Sequence, residues 1–200
     1  MITLGVLVSG GGTNLQAIID AIGRGELDAR IGVVVSSNPE AYGLVRAEKA
    51  GIPHVAMERS DYDDPIAADE RIVEVLAEHG VEYVAMAGYM RMVRQPLLEA
   101  FPNKIVNLHP ALLPSFAGAH GIADAFEYGV KVTGVTVHFA NAEMDAGPII
   151  AQRAVEVRPD DTMDSLEERI HATEHEIFPA TLQLIAQGKV RVEGNKTIIG

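Results

Sequence analysis

The strongest constraint on the fold is a regular alternation, in the first half of the chain, between short apolar runs and longer helical patterns. The apolar runs are rich in Val, Ile and Leu, and they cover residues 4–8, 31–36, 53–57 and 83–88. The helical patterns between them cover residues 14–22, 43–50 and 65–79. Strands that are apolar on both faces and separated by helices predict a parallel sheet covered on both sides. We therefore expect an α/β, Rossmann-like fold with right-handed crossovers.

The second half of the chain changes character near residue 100. Further strands are predicted over residues 105–109, 132–140 and 148–157. A short helix is predicted between the first two of these strands, over residues 121–129. A long helical pattern runs from about residue 162 to 187, and we expect it to be kinked or restarted at Pro179. The final VRVEGNKTIIG has the Gly-Asn signal of a hairpin. The prediction is a single domain over residues 1–200, with a mostly parallel sheet and antiparallel strands in its C-terminal part.

Composition and charge exclude several classes of function. The formal net charge of -12 would repel nucleic acid and anionic membrane surfaces. The chain contains no cysteine, which excludes disulfides, thiolate catalysis and cysteine-based metal sites. The opening MITLGVLVSGGGTN lacks the length and charge of a signal peptide, and no apolar run approaches the ~20 residues that span a bilayer. The expected compartment is the cytoplasm.

The segment SGGGTNLQ, residues 9–16, joins the first predicted strand to the first helix. Its three glycines allow the backbone to approach a ligand, and Thr13 and Asn14 suit a helix N-cap. A helix N-terminus offers N–H groups and the positive end of the helix dipole to a phosphate. The segment is neither a GxGxxG fingerprint nor a Walker A loop, and a plain strand-to-helix turn is the alternative. Its place at the carboxyl end of a strand favours phosphate binding.

Two later predicted strands carry polar side chains within otherwise apolar runs, where apolar side chains are expected. Asn107 and His109 share one face of the run IVNLH, and Thr136 and His138 share one face of VTGVTVHF. Asp145 follows in the loop ANAEMDAGP. Buried polar groups need a partner or a chemical role. A capping pair for Asn107 and His109, and a solvated turn for Asp145, are the structural alternatives.

Histidines and an arginine elsewhere in the chain allow two further interpretations. His109, His120 and His138 could suggest a metal site, but no HxH or HxxxH spacing joins them, so we expect no metal. For His120, in the GAHG loop, a hydrogen-bonding role is the ordinary one. Arg91 stands among methionines in GYMRMV, which suits a flat ring system that carries a carboxylate. A surface arginine at a helix start is the alternative.

These motifs, taken in order along the chain, resemble those of the phosphoribosylglycinamide formyltransferases, the folate-dependent enzymes of purine biosynthesis. The resemblance runs from about residue 3 to residue 190, through SGGGTNLQAII, AGYMRMV, NLHPALLPSF, GAHG, VTGVTVHF and MDAGPII. The Asn-x-His and the later Asp are shared by the wider group that uses 10-formyltetrahydrofolate, whereas the SGGGTN loop is more specific to the glycinamide branch. The resemblance implies transfer of a formyl group from 10-formyltetrahydrofolate to the primary amine of glycinamide ribonucleotide.

The resemblance also implies roles for individual residues. The catalytic residues would be Asn107, His109 and Asp145. The phosphate and ribose would be held by Gly11, Gly12, Thr13, Asn14 and Glu174. The folate would be held by Tyr89, Met90, Arg91, Met92, Val93, Asn141, Ala142, Glu143 and Met144. Supporting positions would be Gly118, His120, Thr136 and His138. Residues 1–100 would form the phosphate-binding half, and residues 101–200 the catalytic and folate-binding half.

Two positions depart from the family pattern. Ala117 stands where a proline is usual, and His171 stands where a glutamine can meet the phosphoribosyl group. The expected partners are the two small-molecule substrates, with no nucleic acid and no membrane, and the chain would be a monomer or a homodimer.

Other functions remain as alternatives. A 10-formyltetrahydrofolate hydrolase would use the same catalytic residues, but such enzymes usually carry an additional N-terminal domain and need no phosphate loop. Formyl transfer to methionyl-tRNA would need a further C-terminal domain and a basic surface. A dinucleotide oxidoreductase would need GxGxxG and an acidic residue after the second strand, which reads VVVSSNP. A non-catalytic phosphosugar- or nucleotide-binding module is the alternative from a different class.

Overall fold

The computed structural model describes residues 1–200. Nine strands are formed: β1 (Ile2–Val8), β2 (Ala29–Ser36), β3 (His54–Ala56), β4 (Tyr83–Met86), β5 (Ile105–His109), β6 (Val132–Phe139), β7 (Ile149–Glu156), β8 (Val190–Glu193) and β9 (Lys196–Ile199). Six α-helices accompany them: α1 (Thr13–Gly23), α2 (Tyr42–Lys49), α3 (Pro65–Glu78), α4 (Gln95–Ala100), α5 (Gly121–Tyr128) and α6 (Met163–Ala186). No helix combines the length and the apolar character that crossing a membrane requires.

Seven strands form one sheet in the order β3-β2-β1-β4-β5-β6-β7. Pairing is parallel from β3 through β5, and β6 and β7 are antiparallel to their neighbours. The strands β8 and β9 make a separate hairpin. The prediction of a single α/β domain, mostly parallel and with antiparallel strands in its C-terminal part, is therefore confirmed.

The sheet separates two apolar cores, which explains why its strands are apolar on both faces. In β1, Leu4, Val6 and Val8 face the core formed with α1 and α6. Leu7 of the same strand faces the core formed with α3 and α4. Because successive side chains of a strand point to opposite faces, a strand covered on both sides must be apolar throughout.

Two details of the helices differ from the sequence-based expectation. The short helix α4 was not predicted, because six residues with a proline among them show no helical period. The predicted restart at Pro179 is wrong, since α6 runs without interruption from Met163 to Ala186. Pro179 is buried in this helix, between the fully buried Phe178 and Leu182. Proline lacks the N–H that would donate one of the helical hydrogen bonds, and burial of this apolar face compensates for the loss.

The strands β1, β4 and β5 are parallel neighbours, so their carboxyl ends lie side by side at the same end of the sheet. The chain leaves β1 toward β2 on one side and returns to β4 on the other side of β1. In open α/β sheets, a crevice forms outside the strand ends at such a reversal of strand order. The glycine-rich loop, which follows β1, and the carboxyl end of β5 both lie at this end of the sheet.

The close contact of β6 with β7 at Gly134 gives a test of the fold. A Cβ atom at Gly134 would lie 2.2 Å from the carbonyl oxygen of Arg153 and 2.7 Å from a methyl carbon of Leu112. Overpacking of this kind costs about 1–3 kcal/mol, so Gly134→Ala should lower the free energy of unfolding in urea by that amount. Gly23→Ala is the control, because nothing lies within 4 Å of its added Cβ. Equal unfolding midpoints for the two variants would contradict the described packing.

Candidate active site

The register between β5 and β6 brings three polar side chains together. Asn107 is the direct partner of His138 across the two strands. The Asn107 Nδ2 atom lies 3.1 Å from His138 Nε2 and donates to Asp145 Oδ1 at 3.4 Å. His109 is two residues further along β5, and its Nδ1 lies 3.5 Å from Asp145 Oδ2. The amide, the imidazole and the carboxylate that the sequence singled out therefore converge.

The His109 ring lies between two acceptors. Its Nε2 lies 2.8 Å from the carbonyl oxygen of Phe116, which can only accept a hydrogen bond. Its Nδ1 faces the Asp145 carboxylate, which in its ionised form is also only an acceptor. A doubly protonated imidazolium satisfies both contacts at once. The His109 side chain is only 5% exposed, so these contacts act with little competition from water.

Asp145 is held by a backbone amide and by two imidazoles. The N–H of Gly118 donates to Asp145 Oδ2 at 2.8 Å, and His138 Nε2 lies 3.7 Å from Oδ1. Burial acts to raise the pKa of Asp145, but the contact with His138, the Gly118 amide and the charge of His109 outweigh it, so the pKa is lowered below 3.8. The carboxylate is therefore an ionised acceptor at neutral pH. The Asp145 backbone has φ 54°, a left-handed conformation that aspartate adopts more readily than most residues.

The other supporting residues fall into two groups. His138 belongs to the cluster, with its Nδ1 2.9 Å from the carbonyl oxygen of Phe139. Thr136 is fully buried and anchors the loop after β5, because its hydroxyl donates to the Ala111 carbonyl at 2.7 Å. His120 is exposed and makes no contact with Asp145; it lies on the edge of a different cavity. The structure thus does not bring His120 into the cluster.

A cavity of about 210 Å³ opens directly onto Asn107, His109, His138 and Asp145. Its rim is apolar and rich in methionine, with Arg91 as its single Arg or Lys residue. Of the residues predicted for the folate, all but Ala142 line it: Tyr89, Met90, Arg91, Met92, Val93, Asn141, Glu143 and Met144. We call this space the apolar cavity.

A second cavity, of about 640 Å³, lies against the glycine-rich loop and α6, and we call it the glycine-loop cavity. All five residues predicted for the phosphate and ribose line it: Gly11, Gly12, Thr13, Asn14 and Glu174. Of the two departures from the family pattern, His171 also lines this cavity, whereas Ala117 lines neither cavity.

The N-terminus of α1 differs from the prediction that Thr13 or Asn14 caps it. The N-cap is Gly12, at φ 68°, and no side chain accepts from the first-turn amides. A Cβ on Gly12 would lie 2.7 Å from the Cα of Gly43, so this close approach of the loop to α2 requires glycine. Since no side chain occupies the amide end of α1, those N–H groups are available to an anion.

Asn14 and Glu174 form a buried pair on one wall of the glycine-loop cavity. The amide of Asn14 donates to Glu174 Oε2 at 2.9 Å, and the two residues are only 8% and 5% exposed. The Asn14 Oδ1 atom is buried and has no partner in the chain. Burial raises the pKa of Glu174, although the Asn14 hydrogen bond and the charge of His171 oppose this. An unmet acceptor beside a carboxyl group suits a ligand that brings hydroxyl donors.

A positively charged side chain lies against the glycine-rich loop. The Nε of Arg46 donates to the Gly11 carbonyl at 2.8 Å and so holds the loop against α2. His171 and His175 lie one turn apart on α6. Burial lowers the pKa of His175, and the charges of His171 and Arg46 lower it further, so His175 carries less positive charge than an ordinary histidine. Arg46 therefore places a positive charge beside the amide end of α1 in a chain of net charge -12.

The two cavities share a wall. The residues that line both of them are Gly88, Met90, Leu108, Pro110 and Ala119. Ser9 of the glycine-rich loop fixes this wall, because its Oγ accepts from the Met90 N–H at 2.8 Å. The ends of two bound ligands would thus meet beside Asn107 and His109. No group of three or more His, Asp or Glu side chains in the chain is arranged to hold a metal ion.

Sequence reasoning missed the backbone groups of the site. The Phe116 carbonyl orients His109, and the Gly118 amide binds Asp145 directly. Main-chain groups have no residue-specific signature, so only the small-residue composition of the loop hinted at them. It also missed Arg46, a helical surface arginine by pattern, which reaches the glycine-rich loop only because α1 and α2 pack together.

Comparisons with known proteins agree with this geometry. A family model described as formyl transferase matches residues 3–182. The phosphoribosylglycinamide formyltransferase of Bacillus subtilis (strain 168) is 42% identical over 178 residues, which are 89% of this chain and 91% of that protein. The human trifunctional purine biosynthetic protein adenosine-3 is 44% identical over 193 residues, which are 96% of this chain and 19% of that protein. The crystal structure of glycinamide ribonucleotide transformylase 1 from Symbiobacterium toebii has 48% sequence identity and a TM-score of 0.97, over 100% of this chain and 94% of that one.

The environment of Asp145 predicts a specific titration. With aspartate labelled by ¹³C, the Asp145 carboxyl group should still be more than half ionised when the pH has fallen to 3.8, because its folded-state pKa is lowered. The ionised group therefore stabilises the fold above the unfolded-state pKa, and this contribution is lost as the pH falls through the folded-state value.

The contact with the His138 imidazole lowers the pKa of Asp145, so removing that imidazole should shift the Asp145 titration. In His138→Ala, the Asp145 midpoint should rise, whereas in the exposed His54→Ala control it should not move. A wild-type midpoint above 3.8, or no change in His138→Ala, would contradict the assigned contacts.

Proposed function

The chain belongs to the formyl transferase family, and we propose that it transfers the formyl group of 10-formyltetrahydrofolate to the primary amine of glycinamide ribonucleotide in purine biosynthesis. The observation that carries this proposal is the convergence of Asn107, His109 and Asp145 where two cavities meet. One cavity suits a phosphosugar and the other suits a flat ring system. A transferase needs both, with the reacting groups at their junction.

The phosphosugar would bind in the glycine-loop cavity. Its phosphate would accept hydrogen bonds from the uncapped amides of Gly12 to Asn14, supported by the helix dipole and by the nearby Arg46. Its ribose hydroxyls would donate to Glu174 and to the unmet Oδ1 of Asn14. These contacts would direct the glycinamide amine toward the shared wall.

The folate would bind in the apolar cavity. Met90, Met92 and Met144 are exposed side chains on its rim, and flexible thioether side chains adapt well to a planar ring. The formyl group on the folate nitrogen N10 would then lie beside Asn107 and His109, within reach of the incoming amine.

The chemical step needs no protein nucleophile, because the substrate amine attacks. Its nitrogen forms a bond to the formyl carbon, and the carbonyl electron pair moves onto oxygen to give a tetrahedral oxyanion. An Nδ2–H of Asn107 would donate to that oxyanion, and His109, whose two ring nitrogens already face Asp145 and Phe116, would stabilise it by the positive charge of its protonated ring. One such donor contributes roughly 3–4 kcal/mol in comparable acyl transfers.

Proton transfer completes the reaction. The attacking amine loses one proton, N10 gains one, and the bond between N10 and the formyl carbon then breaks. The products are a formamide and tetrahydrofolate, so atoms and charge balance. Asp145, ionised because its pKa is lowered, would accept the amine proton, either directly or through water. The Asp145 carboxyl would then return a proton, directly or through the same water, to N10 as it leaves.

Two alternative functions share part of this site. A 10-formyltetrahydrofolate hydrolase would use water in place of the amine, and it would have no use for the uncapped α1 terminus and the Asn14–Glu174 pair. A non-catalytic phosphosugar- or nucleotide-binding module would not need a carboxylate held against His109. Small-molecule partners follow from the proposed reaction, while a cytoplasmic location and a monomeric or homodimeric state stay predictions.

An absorbance assay separates these three functions. The chain is mixed with 10-formyltetrahydrofolate, with and without glycinamide ribonucleotide, and release of tetrahydrofolate is followed. We expect release only when the amine substrate is present. Release without it would identify a hydrolase, and no release in either mixture would leave a binding module.

Asp145→Asn tests the proposed proton transfer. We expect kcat to fall by about 100-fold or more, within the range attributed to general acid–base catalysis, because asparagine cannot accept a proton. The dissociation constant for the folate should change by less than about fivefold, since the rim of the apolar cavity is untouched. Asp160→Asn, at an exposed turn that lines neither cavity, is the matched control. Equal losses in turnover and in folate affinity would refute the assigned role.

A further inference from the structure

We propose that Tyr62 is a positioning residue of the folate site, which holds the Arg91 guanidinium flat so that its N–H edges can bind a carboxylate of the ligand. The inference rests on the proposed function, because the carboxylate we assign is the one at the tail of the folate. Tyr62 itself lines neither cavity and acts only through Arg91.

The contact between the two residues is a stacked cation–π pair. The Arg91 guanidinium carbon lies 3.9 Å from the centroid of the Tyr62 ring. Tyr62 is 9% exposed, whereas Arg91 is exposed on the rim of the apolar cavity. The Arg91 guanidinium makes no hydrogen bond and no ion pair within the chain, whereas several other arginines do. The ring face therefore sets the plane of the Arg91 guanidinium and leaves its donor edges unused.

Tyr62 is itself firmly held. It belongs to the core between the sheet and α3, and its hydroxyl lies 3.0 Å from the hydroxyl of Tyr89. Burial raises the pKa of both phenols, so each keeps its proton and one can donate to the other. The short 3₁₀ turn that carries Tyr62, Arg59–Asp63, is fixed by a capping box from Glu58 and by the Asp61–Arg71 ion pair at 3.0 Å.

Charge identifies the ligand group that this arrangement fits. The chain has a net charge of -12, and the apolar cavity is lined by Glu143 and Asp145 as well as by Arg91. A ligand carboxylate would be repelled from most of this surface, so Arg91 is the group that can bind it. A guanidinium with its plane already fixed can form paired N–H···O bonds with less loss of freedom than a mobile one.

The test compares two co-substrates, 10-formyltetrahydrofolate and the primary amide of 10-formyltetrahydropteroate, the second of which carries neither the glutamate tail nor a free carboxylate. Tyr62→Leu removes the aromatic face and should raise KM for the first by about 3- to 10-fold, the range expected for a cation–π contact. It should leave kcat, KM for glycinamide ribonucleotide and KM for the tail-less co-substrate unchanged. Tyr62→Phe keeps the face and should restore KM to within about twofold.

A second variant and a control keep the test independent of folding. Arg91→Lys alters only an exposed side chain, keeps the charge and loses the planar fork, so it should also raise KM for the tail-bearing co-substrate alone. Tyr83→Leu removes an aromatic ring that lies 5.6 Å from Lys104, at the opposite end of the sheet, and should change neither KM.

Several outcomes would overturn the proposal. They are an unchanged KM in Tyr62→Leu or in Arg91→Lys, equal effects on the two co-substrates, or a full effect of Tyr62→Leu in an Arg91→Ala background. If the wild-type chain transferred no formyl group to glycinamide ribonucleotide, the proposed function would fail first. If the wild type is active and the Tyr62 variants do not discriminate, only the positioning role fails.

Discussion

The antiparallel pairing of β6 with β5 is the constraint on which the site depends. It sets Asn107 opposite His138 and leaves His109 two residues closer to the sheet edge, so that one carboxylate can reach all three. The loop after β6 folds back to bring Asp145 into that position, and the Gly118 amide holds it there. A one-residue slip in this register would turn Asn107 and His109 to the opposite face of the sheet and remove the cluster.

Electrostatics explains how so acidic a chain can accept two anionic ligands. Near the glycine-rich loop, the uncapped amide end of α1 and the guanidinium of Arg46 act together. Near the apolar cavity, Arg91 stacks on Tyr62 with its donors free. In both places the positive charge is local and its geometry is fixed, so the repulsive field of the surrounding acids is overcome only at those positions.

The sequence predicted what depends on periodicity. Continuous apolar runs predicted the doubly covered sheet, and the period of two placed Asn107 and His109 on one face. It failed where tertiary contacts decide. The buried face of α6 carries the helix through Pro179, and Gly12 rather than Thr13 or Asn14 occupies the N-cap of α1. The Tyr62–Arg91 stack joins residues that are far apart in the chain, so no local sequence pattern predicts it.

The most direct measurement is a crystal structure with a stable analogue of 10-formyltetrahydrofolate and glycinamide ribonucleotide bound together. We expect the phosphate at the amide end of α1, the folate ring in the apolar cavity, and the amine within about 3–3.5 Å of the carbon that represents the formyl group. Asn107, His109 and Asp145 should all surround that carbon. A phosphate bound elsewhere, or a reacting carbon remote from Asp145 with that carboxylate turned to solvent, would contradict this expectation.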